Sequence, residues 1–464
     1  MSRLGHILIL AGVVQALPSL SQAAKLRTVD VAAKPGQPWD GMPTRTLEDL
    51  PALDVDANLD TYGGLRTRRV KATGFFRTEK IGDRWWLVDP NGGLFIHKGV
   101  SSVRTIPTPG ARAALEGRFG TETAWASATL AMLRDCGFNG LGAWSDTGLL
   151  SKVSPPLAYT RLWNFMSSYG RKRGGTYQQP GHTGYPKDCL FVFDPEFESF
   201  CYEHARQLSA DRGDPWLLGH FSDNELPFRR EALKNYLDLR ESDVGRHAAL
   251  DWLHARHGPN ASAKDITPQD EADFQAVVVD RYFRIVSKAI RKHDPNHLFL
   301  GSRFYGSDLR TPAVFRAAGP YVDVVSVNYY RAWTPDPNRL AMWERESGRP
   351  ILITEWYAKG ADSGMANTSG AGWLVKTQRD RGLFYQNFTL ALLQSRACVG
   401  WHWFKYADND PEDKTVDPSN RDSNKGIVNN RYEPWKDLLD LMKPVNERAY
   451  ALVEFFDRQK GQAP

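Results

Sequence analysis

Eight short apolar segments alternate with stretches of helical periodicity along most of this 464-residue chain. Alternation of strand and helix implies that neighbouring strands pair in parallel, and eight repeats predict an α/β fold closed into a (β/α)₈ barrel rather than an open sheet. Such a barrel needs about 250 residues, which leaves room for long loops between strands and helices. The predicted strands cover residues 95–103, 138–144, 158–165, 217–225, 297–304, 322–330, 351–357 and 399–406.

Amphipathic segments separate these strands. Residues 121–136 have apolar positions at helical spacing and stop before Gly137, the residue type favoured just past a helix end. The insertion at 226–267 is predicted to be partly helical and to overhang the face of the barrel where the strands end. Further helices are predicted in residues 194–210, 229–240, 245–257, 270–293 and 383–395.

Two segments precede the barrel. Residues 74–81 and 84–88 flank Gly82-Asp83, a pattern that predicts a β-hairpin, and we expect this hairpin to close the bottom of the barrel. Residues 24–69 are rich in proline and mostly polar, which predicts an extended segment that wraps over the surface. The domain hypothesis is therefore an extended N-terminal segment over 24–69 and a single (β/α)₈ domain over 70–464.

The first 23 residues have the pattern of a secretory signal peptide. Arg3 precedes an apolar stretch over residues 4–14, and Ser21-Gln22-Ala23 has the small-x-small form of a cleavage site. The apolar stretch is too short to span a bilayer, and no later segment reaches the necessary length. We therefore expect no membrane insertion and a mature protein in the periplasm or outside the cell.

Four cysteines in a chain of this size exclude a disulfide scaffold. Cys136 and Cys398 lie at apolar helix ends and are predicted to be buried thiols. Cys189 and Cys201 flank a short apolar segment and could form a bridge in an oxidising compartment.

Charge and composition exclude one class of partner and favour another. The net charge is +5, and no long basic stripe or nucleic-acid module is present, so nucleic acid is not an expected partner. Arg171-Lys172-Arg173 is interpreted as part of a solvated loop, with an anionic, sulfated glycan as the alternative. Aromatic residues make up 12% of the chain, which suits a sugar-binding cleft, although a large core also absorbs them.

Two glutamates carry the prediction of chemistry. Glu225 closes the apolar run 217–225, and Glu355 closes the run 350–355. Loops at the C-terminal ends of barrel strands form the active site, and strands four and seven face each other across the ring. A pair of carboxylates, one acid and one nucleophile or base, is what glycoside hydrolysis requires. The structural alternative is that each glutamate caps a helix or pairs with an arginine.

The strand ends together resemble those of the clan A glycoside hydrolases, which are TIM barrels. The resemblance rests on Asn224-Glu225 after strand four, Glu355 after strand seven, a tyrosine after strand six and a tryptophan after strand eight. The amino-acid sequence at residues 221–225, 294–298 and 422–426 is similar to that of the β-agarases of glycoside hydrolase family 50. Typical members carry an N-terminal carbohydrate-binding-like domain for which this chain has no room.

The resemblance implies a role for each matching residue. Glu225 would be the acid/base and Glu355 the nucleophile. Asn224 would hydrogen-bond the 2-hydroxyl of the sugar. Tyr329 and Tyr330 both qualify as the strand-six tyrosine that bonds the nucleophile, and Tyr329 is favoured.

Aromatic, histidine and arginine side chains at other strand ends are further candidates for substrate binding. Trp403 is implied by the resemblance to floor the subsite of the reacting sugar. His220 also fits a hydrogen-bonded core histidine, and Arg104 could pair with Glu355. The remaining candidates for the lining of subsites are Trp144, Trp163, His220 and Arg303.

The function that follows is a retaining glycoside hydrolase for β-linked, agarose-like galactans, in polysaccharide or oligosaccharide form. It would need no cofactor and no metal. The alternatives are another clan A β-glycosidase (a β-glucanase, β-mannanase or β-galactosidase) and a non-catalytic carbohydrate-binding barrel. A metal-dependent hydrolase is disfavoured because such enzymes often carry His-x-His at strand one, where this chain has His97-Lys98-Gly99 and no paired histidines.

Overall fold

The computed structural model describes residues 26–56 and 58–461. The predicted signal peptide, residues 1–23, lies outside this part of the chain. Among the described residues, no helix combines the length and apolar character that crossing a membrane requires. All four cysteines are buried free thiols, so the bridge considered for Cys189 and Cys201 does not form.

The described residues contain short parallel strands that form one central sheet and further strands, mostly antiparallel, that form smaller sheets. The strands are β1 (Arg27–Ala32), β2 (Asp40–Thr44), β3 (Leu65–Arg69), β4 (Arg77–Ile81), β5 (Arg84–Val88), β6 (Gly93–Phe95), β7 (His97–Val100), β8 (Gly140–Leu141), β9 (Ala158–Leu162), β10 (Tyr177–Gln179), β11 (His182–Gly184), β12 (Leu217–Phe221), β13 (Leu298–Phe299), β14 (Val325–Asn328), β15 (Ile351–Glu355), β16 (Ala358–Gly360), β17 (Trp373–Val375) and β18 (Cys398–Trp403).

Helices separate the strands of the central sheet and cover its outer face. They are α1 (Pro109–Phe119), α2 (Glu122–Asp135), α3 (Thr147–Leu150), α4 (Phe165–Arg173), α5 (Phe197–His204), α6 (Ala232–Leu237), α7 (Val244–His257), α8 (Pro268–His293), α9 (Pro312–Ala318), α10 (Pro337–Ser347), α11 (Gln378–Gln394), α12 (Lys436–Asn446) and α13 (Ala449–Gly461).

The central sheet has eight parallel strands in the order β13-β12-β9-β8-β7-β18-β15-β14. Strands that follow one another along the chain are neighbours in this sheet, except β13 and β14 at its two edges, and the first strand, β7, pairs with the last, β18. The two edge strands do not form a ladder with each other. They meet through one parallel bridge between Phe304 and Val327 and through the N–H of Asp323, which donates to the carbonyl of Phe299 at 2.9 Å. The prediction of an eight-stranded α/β sheet is confirmed, whereas full closure by paired strands is not observed.

The strands are shorter than predicted and end earlier. Strand β12 ends at Phe221, so Glu225 lies in the following loop, whereas Glu355 is the last residue of β15. Every residue of both strands is buried, as expected when a parallel sheet is covered on its two faces. The side chains of one face form an inner apolar cluster that includes Leu218, Leu352 and Val399.

A four-stranded antiparallel sheet, β3-β6-β5-β4, precedes the central sheet. The segments predicted as a hairpin, β4 and β5, pair with Ile81 opposite Arg84 and belong to this sheet. Phe76, Leu87 and Phe95 from this region are buried in the inner apolar cluster. Because β6 leads directly into β7, this sheet packs against the N-terminal ends of the parallel strands.

The N-terminal segment is more regular than the sequence predicts. Strands β1 and β2 pair with each other, and β1 pairs antiparallel with β17, which lies beside β16 in the loop after β15. Residues 27–44 therefore add two strands to the loop that follows Glu355, rather than only wrapping the surface.

Candidate active site

A cleft of about 680 Å³ opens at the C-terminal ends of the parallel strands. Glu225, Glu355 and Asn224 all line it, together with Tyr330 and Trp144. Helices α6 and α7 of the 226–267 insertion contribute no residue to the lining of this cleft. The cover comes instead from loops after the third and eighth parallel strands.

Glu355 has the more strongly stabilising surroundings of the two glutamates. Its Oε1 lies 2.7 Å from the guanidinium of Arg303, and its Oε2 accepts a hydrogen bond from the Tyr330 hydroxyl at 2.5 Å. Burial raises the pKa of Glu355 to about 7, and the negative charge of Glu225 adds to this effect. The Arg303 charge and the Tyr330 hydrogen bond act in the opposite direction, because both stabilise the carboxylate.

Glu225 faces an amide and an imidazole rather than a guanidinium. Its Oε1 accepts a hydrogen bond from the Asn328 side-chain amide at 2.8 Å, and its Oε2 lies 3.4 Å from Nδ1 of His182. The backbone of Glu225 is left-handed, with φ 53°, a conformation that costs free energy for a side chain of this kind. The β12 strand has ended by this point, and the left-handed residue turns the chain as the loop enters the cleft.

A single buried arginine connects the surroundings of the two glutamates. Arg303 is 0% exposed, and besides Glu355 it binds Oδ1 of Asn224 at 2.9 Å. Asn328 in turn lies 3.3 Å from the same Asn224 oxygen. The chain of contacts runs from Glu355 through Arg303, Asn224 and Asn328 to Glu225. Trp144 covers the arginine of this chain of contacts, with its ring centre 4.2 Å from the guanidinium carbon.

The hairpin β10–β11 covers the Glu225 side of the cleft. It brings His182 to Glu225, and the carbonyl of Gly181 accepts a hydrogen bond from the Asn224 amide at 3.3 Å. The loop after β18 holds the hairpin from the other side, because the Asp417 carboxylate accepts the N–H of Gly181 at 2.7 Å. The sequence analysis missed His182, Asn328 and Asp417, although Asn328 follows a buried apolar run as Glu225 does.

Asp223 acts on the scaffold of the site. Its carboxylate accepts the backbone N–H groups of Met166 and Ser167 at 2.9 and 3.2 Å, at the start of α4. Burial raises its pKa to about 7. Of the two roles considered for this residue, orientation of the acid/base and helix capping, these contacts support capping.

The prediction that Tyr329 is the tyrosine that hydrogen-bonds Glu355 is wrong. Tyr330 bonds Glu355, whereas Tyr329 is 1% exposed and packs against Trp343 and Phe388. Its hydroxyl accepts the N–H of Asp336 at 3.1 Å. Strand β14 ends at Asn328, so the alternation of side chains does not continue through the two tyrosines.

Three other predicted substrate-binding residues lie outside the cleft. Trp403 is fully buried against Trp356, and its indole donates to the carbonyl of Lys425 at 3.0 Å. Trp163 donates to Nδ1 of His220 at 2.9 Å, and His220 is 0% exposed. Which way each of these side chains points from its strand is not determined by the sequence alone. Phe404, the residue after Trp403, lines the cleft instead.

Arg104 was predicted to pair with Glu355 and Arg303 to line a subsite, and the structure shows the reverse arrangement. Arg104 lines the cleft and has no short contact with Glu355, whereas Arg303 holds Glu355 from below and is not part of the cleft lining. Arg303 is therefore a positioning residue rather than a substrate-binding one. Trp144 lies in the cleft as predicted from its strand end.

The described residues contain one group with the composition of a metal site, namely His220, Asp294 and His297, whose ligand atoms lie within 4.8 Å of one another. Hydrogen bonds already engage these atoms. Asp294 Oδ2 lies 2.8 Å from Nε2 of His220 and 2.7 Å from Nδ1 of His297. The other nitrogen of His297 bonds the carbonyl of Asp214, so the group is explained as a buried hydrogen-bond network.

A parallel α/β sheet with two glutamates in one cleft at its C-terminal edge is the arrangement of a glycoside hydrolase. No protein-family model matches the chain. The chain is 25% identical to beta-agarase B of Vibrio sp. (strain JT0107) over 494 residues, which cover 84% of this chain and 50% of that protein. It is 27% identical to beta-agarase A of the same organism over 382 residues, or 71% of this chain and 36% of that protein. The chain thus spans half the length, or less, of these curated relatives.

Solved structures agree with these relatives. The crystal structure of BpGH50 has 27% sequence identity and a TM-score of 0.82, and the match covers 93% of this chain and 96% of that one. An agarase, AgWH50C, and an exo-beta-agarase share the fold at TM-scores of 0.69 and 0.71, with 23% and 22% identity and 86% of this chain covered in each case; the match covers 67% and 69% of those chains. The comparisons support the predicted class, an agarase-like glycoside hydrolase.

Proposed function

We propose that the protein is a retaining clan A glycoside hydrolase that cleaves β-linked, galactose-containing polysaccharides or oligosaccharides of the agarose type. Glu355 is the nucleophile, Glu225 is the acid/base, and residues 70–464 form the catalytic domain. The agarase-like relatives support the substrate class. The unequal surroundings of the two glutamates support the assignment of roles.

The difference between the surroundings of Glu355 and those of Glu225 is the observation that carries the proposal. Glu355 is held by a guanidinium and a phenol, both of which favour its ionised form, as a nucleophile requires. Glu225 is held by an amide and has no arginine or lysine paired with it among the described residues, and the proposal assigns it the proton that the leaving group takes up. Environments that favour different protonation states in two neighbouring carboxyl groups are how one site contains both an acid and a nucleophile.

The reaction then proceeds in two displacements. The Glu355 carboxylate attacks the anomeric carbon while Glu225 transfers its proton to the departing glycosidic oxygen, which leaves as an alcohol. A glycosyl ester on Glu355 results. Glu225, now a carboxylate, takes a proton from water as that water attacks the anomeric carbon, and Glu355 is released. Asn224, whose Oδ1 is oriented by Arg303, is assigned the hydrogen bond to the 2-hydroxyl of the reacting sugar.

The stereochemical outcome tests the mechanism. Two displacements restore the configuration of the bond that is cleaved, so a β-glycoside is expected to give the β-anomer first. NMR of the first-formed product measures this directly, because the two anomers give separate signals before mutarotation mixes them. A fresh α-anomer would mean inversion and would remove Glu355 from the role of nucleophile.

Tyr330→Phe is expected to move the acidic limb of the kcat/KM profile to higher pH. The hydroxyl stabilises ionised Glu355, so its loss raises the pKa of Glu355 and a larger fraction of the enzyme is protonated and inactive at acidic pH. The loss of activity is about tenfold on the acidic side and smaller on the alkaline side. The measurement is kcat/KM across the pH range.

Tyr329→Phe is the matched control for this change. It removes the same hydroxyl from the adjacent residue, where the group bonds Asp336 and not Glu355. Its profile should keep the wild-type acidic limb. Equal profiles for the two variants would contradict the assigned role of Tyr330.

Substrate choice is tested by product analysis on agarose, porphyran, other galactans and β-glucans. Release of galactose-containing oligosaccharides supports the proposed substrate class. Cleavage of β-glucans alone would favour another β-glycosidase, and binding without cleavage on every substrate would favour a non-catalytic barrel.

A further inference from the structure

One wall of the cleft carries three cationic side chains. Arg104, Lys405 and Lys425 line the same cavity as Glu225 and Glu355. Arg104 lies in the loop after β7, and the two lysines lie in the loop after β18, the neighbouring strand. We call these three side chains the cationic wall.

Two members of the cationic wall lack a partner of opposite charge. Within the described residues, neither the ammonium of Lys405 nor the guanidinium of Arg104 has a hydrogen bond or a short ion pair. Burial lowers the pKa of Lys405 to about 8; the charge of Arg104 adds to this effect, and the more distant carboxylates of Asp408 and Asp413 oppose it. A partly desolvated cation without a partner is unfavourable, and an anion bound beside it would remove that cost.

Lys425, the third member of the cationic wall, is buried and held by hydrogen bonds. It is 2% exposed, and its Nζ donates to the carbonyl of Ser419 at 2.7 Å and to Oδ1 of Asn420 at 2.9 Å, both neutral groups. Glycine at position 370 makes room for it, because a Cβ there would lie 3.1 Å from Nζ. The ammonium also lies 5.1 Å from the ring centre of Tyr357.

The acidic side chains of the cleft do not neutralise this wall at short range. Asp413 Oδ1 accepts hydrogen bonds from the backbone and hydroxyl of Thr415 at 2.9 and 2.6 Å. Asp417 holds the hairpin at Gly181. Glu355 is already paired with Arg303. Among the described residues, no carboxylate therefore forms a close ion pair with Arg104 or Lys405 of the cationic wall.

We propose that Arg104, Lys405 and Lys425 form a subsite for an anionic substituent on the glycan, a sulfate ester or a carboxylate. The inference rests on the proposed function and adds a substrate preference to it. The oxyanions of such a group accept several charge-assisted hydrogen bonds at once, which a sugar hydroxyl does not. Tyr357 and Phe404, which also line the cleft, offer apolar surface for the ring that bears the substituent.

Binding to a catalytically inactive full-length chain tests the proposal. Glu355→Gln keeps the cationic wall intact, and three β-galactan tetrasaccharides serve as probes: a neutral one, one with a single sulfate ester and one with a single uronate. Calorimetry is expected to show about tenfold tighter binding of at least one anionic probe than of the neutral probe. The sulfated and uronate probes distinguish the two sources of negative charge.

Lys405→Met in the same background is expected to abolish that preference, and Lys405→Arg to retain it. Lys414→Met is the matched control, since Lys414 lies in the same loop, is exposed and does not line the cleft. Equal affinity for all three probes, or a preference that survives Lys405→Met, would overturn the inference. Cleavage of the neutral probe by the wild-type chain alongside either result would leave the proposed function standing, whereas failure to cleave any of the probes would count against that function itself.

Discussion

Replacing Glu355 by glutamine is expected to lower kcat by about 10⁴-fold or more and to leave the fold intact. Glutamine has the shape of glutamate, but its amide cannot form the glycosyl ester. Arg303 would keep its bonds to Asn224 and to the carbonyl of Thr354, at 2.9 and 3.1 Å, so the site stays organised. Initial rates on the polysaccharide give kcat, and circular dichroism with thermal unfolding checks the fold.

Glu346→Gln is the matched control. Glu346 also pairs with arginines, at 2.5 Å to Arg316 and 2.9 Å to Arg345, but it lies on α10 outside the cleft. Its loss should leave kcat near that of the wild type. If Glu355→Gln kept more than about a tenth of wild-type turnover, Glu355 would be a structural partner of Arg303 rather than the nucleophile.

Replacing Glu225 by alanine is expected to lower turnover of the polysaccharide by about 10²- to 10⁴-fold, the usual contribution of a general acid–base group. An aryl glycoside with a good leaving group avoids the need for an acid in the first step. With this substrate, added azide should restore turnover, because the small anion enters the space left by the side chain and attacks the glycosyl ester. The expected product is a β-glycosyl azide.

Glu355→Ala provides the comparison that separates the two roles. With azide it is expected to give the α-glycosyl azide, since azide then replaces the nucleophile in a single displacement. Chromatography and NMR identify the two azides. Interchanged products would mean that the roles of Glu225 and Glu355 are reversed, and no azide adduct from Glu225→Ala would indicate a structural role for Glu225.

Sequence reasoning reached the fold and the two glutamates because both depend on strong local patterns. Apolar runs that end in a carboxylate identify the C-terminal edge of a buried parallel strand, and all parallel strands present that edge on one side of the sheet. This is enough to predict that Glu225 and Glu355 share a cleft. It does not require the exact strand ends, which lie up to several residues earlier than predicted.

The partners of the glutamates could not be predicted in the same way. Tyr329 and Tyr330 are adjacent, and the turn of the chain after Asn328 decides which of them points toward Glu355. In the structure Tyr329 packs against Trp343 and Phe388 instead. The choice between Arg104 and Arg303 as the partner of Glu355 depends on depth in the cleft, which sequence spacing does not encode. His182 comes from a hairpin whose position is fixed by Asp417, far along the chain.

Strand β1 and its flanking residue Lys34 reach the loop that borders the catalytic cleft. The strand pairs with β17, and the ammonium of Lys34 donates to the carbonyls of Thr368 and Gly370 at 2.6 and 2.8 Å. Gly370 in turn lines the cleft and makes room for Lys425. A substitution at Lys34 would therefore loosen the backbone beside Lys425 while leaving every residue that lines the cleft unchanged. Lys34 is thus a position, away from the two glutamates, at which a substitution can act on the wall of the cleft.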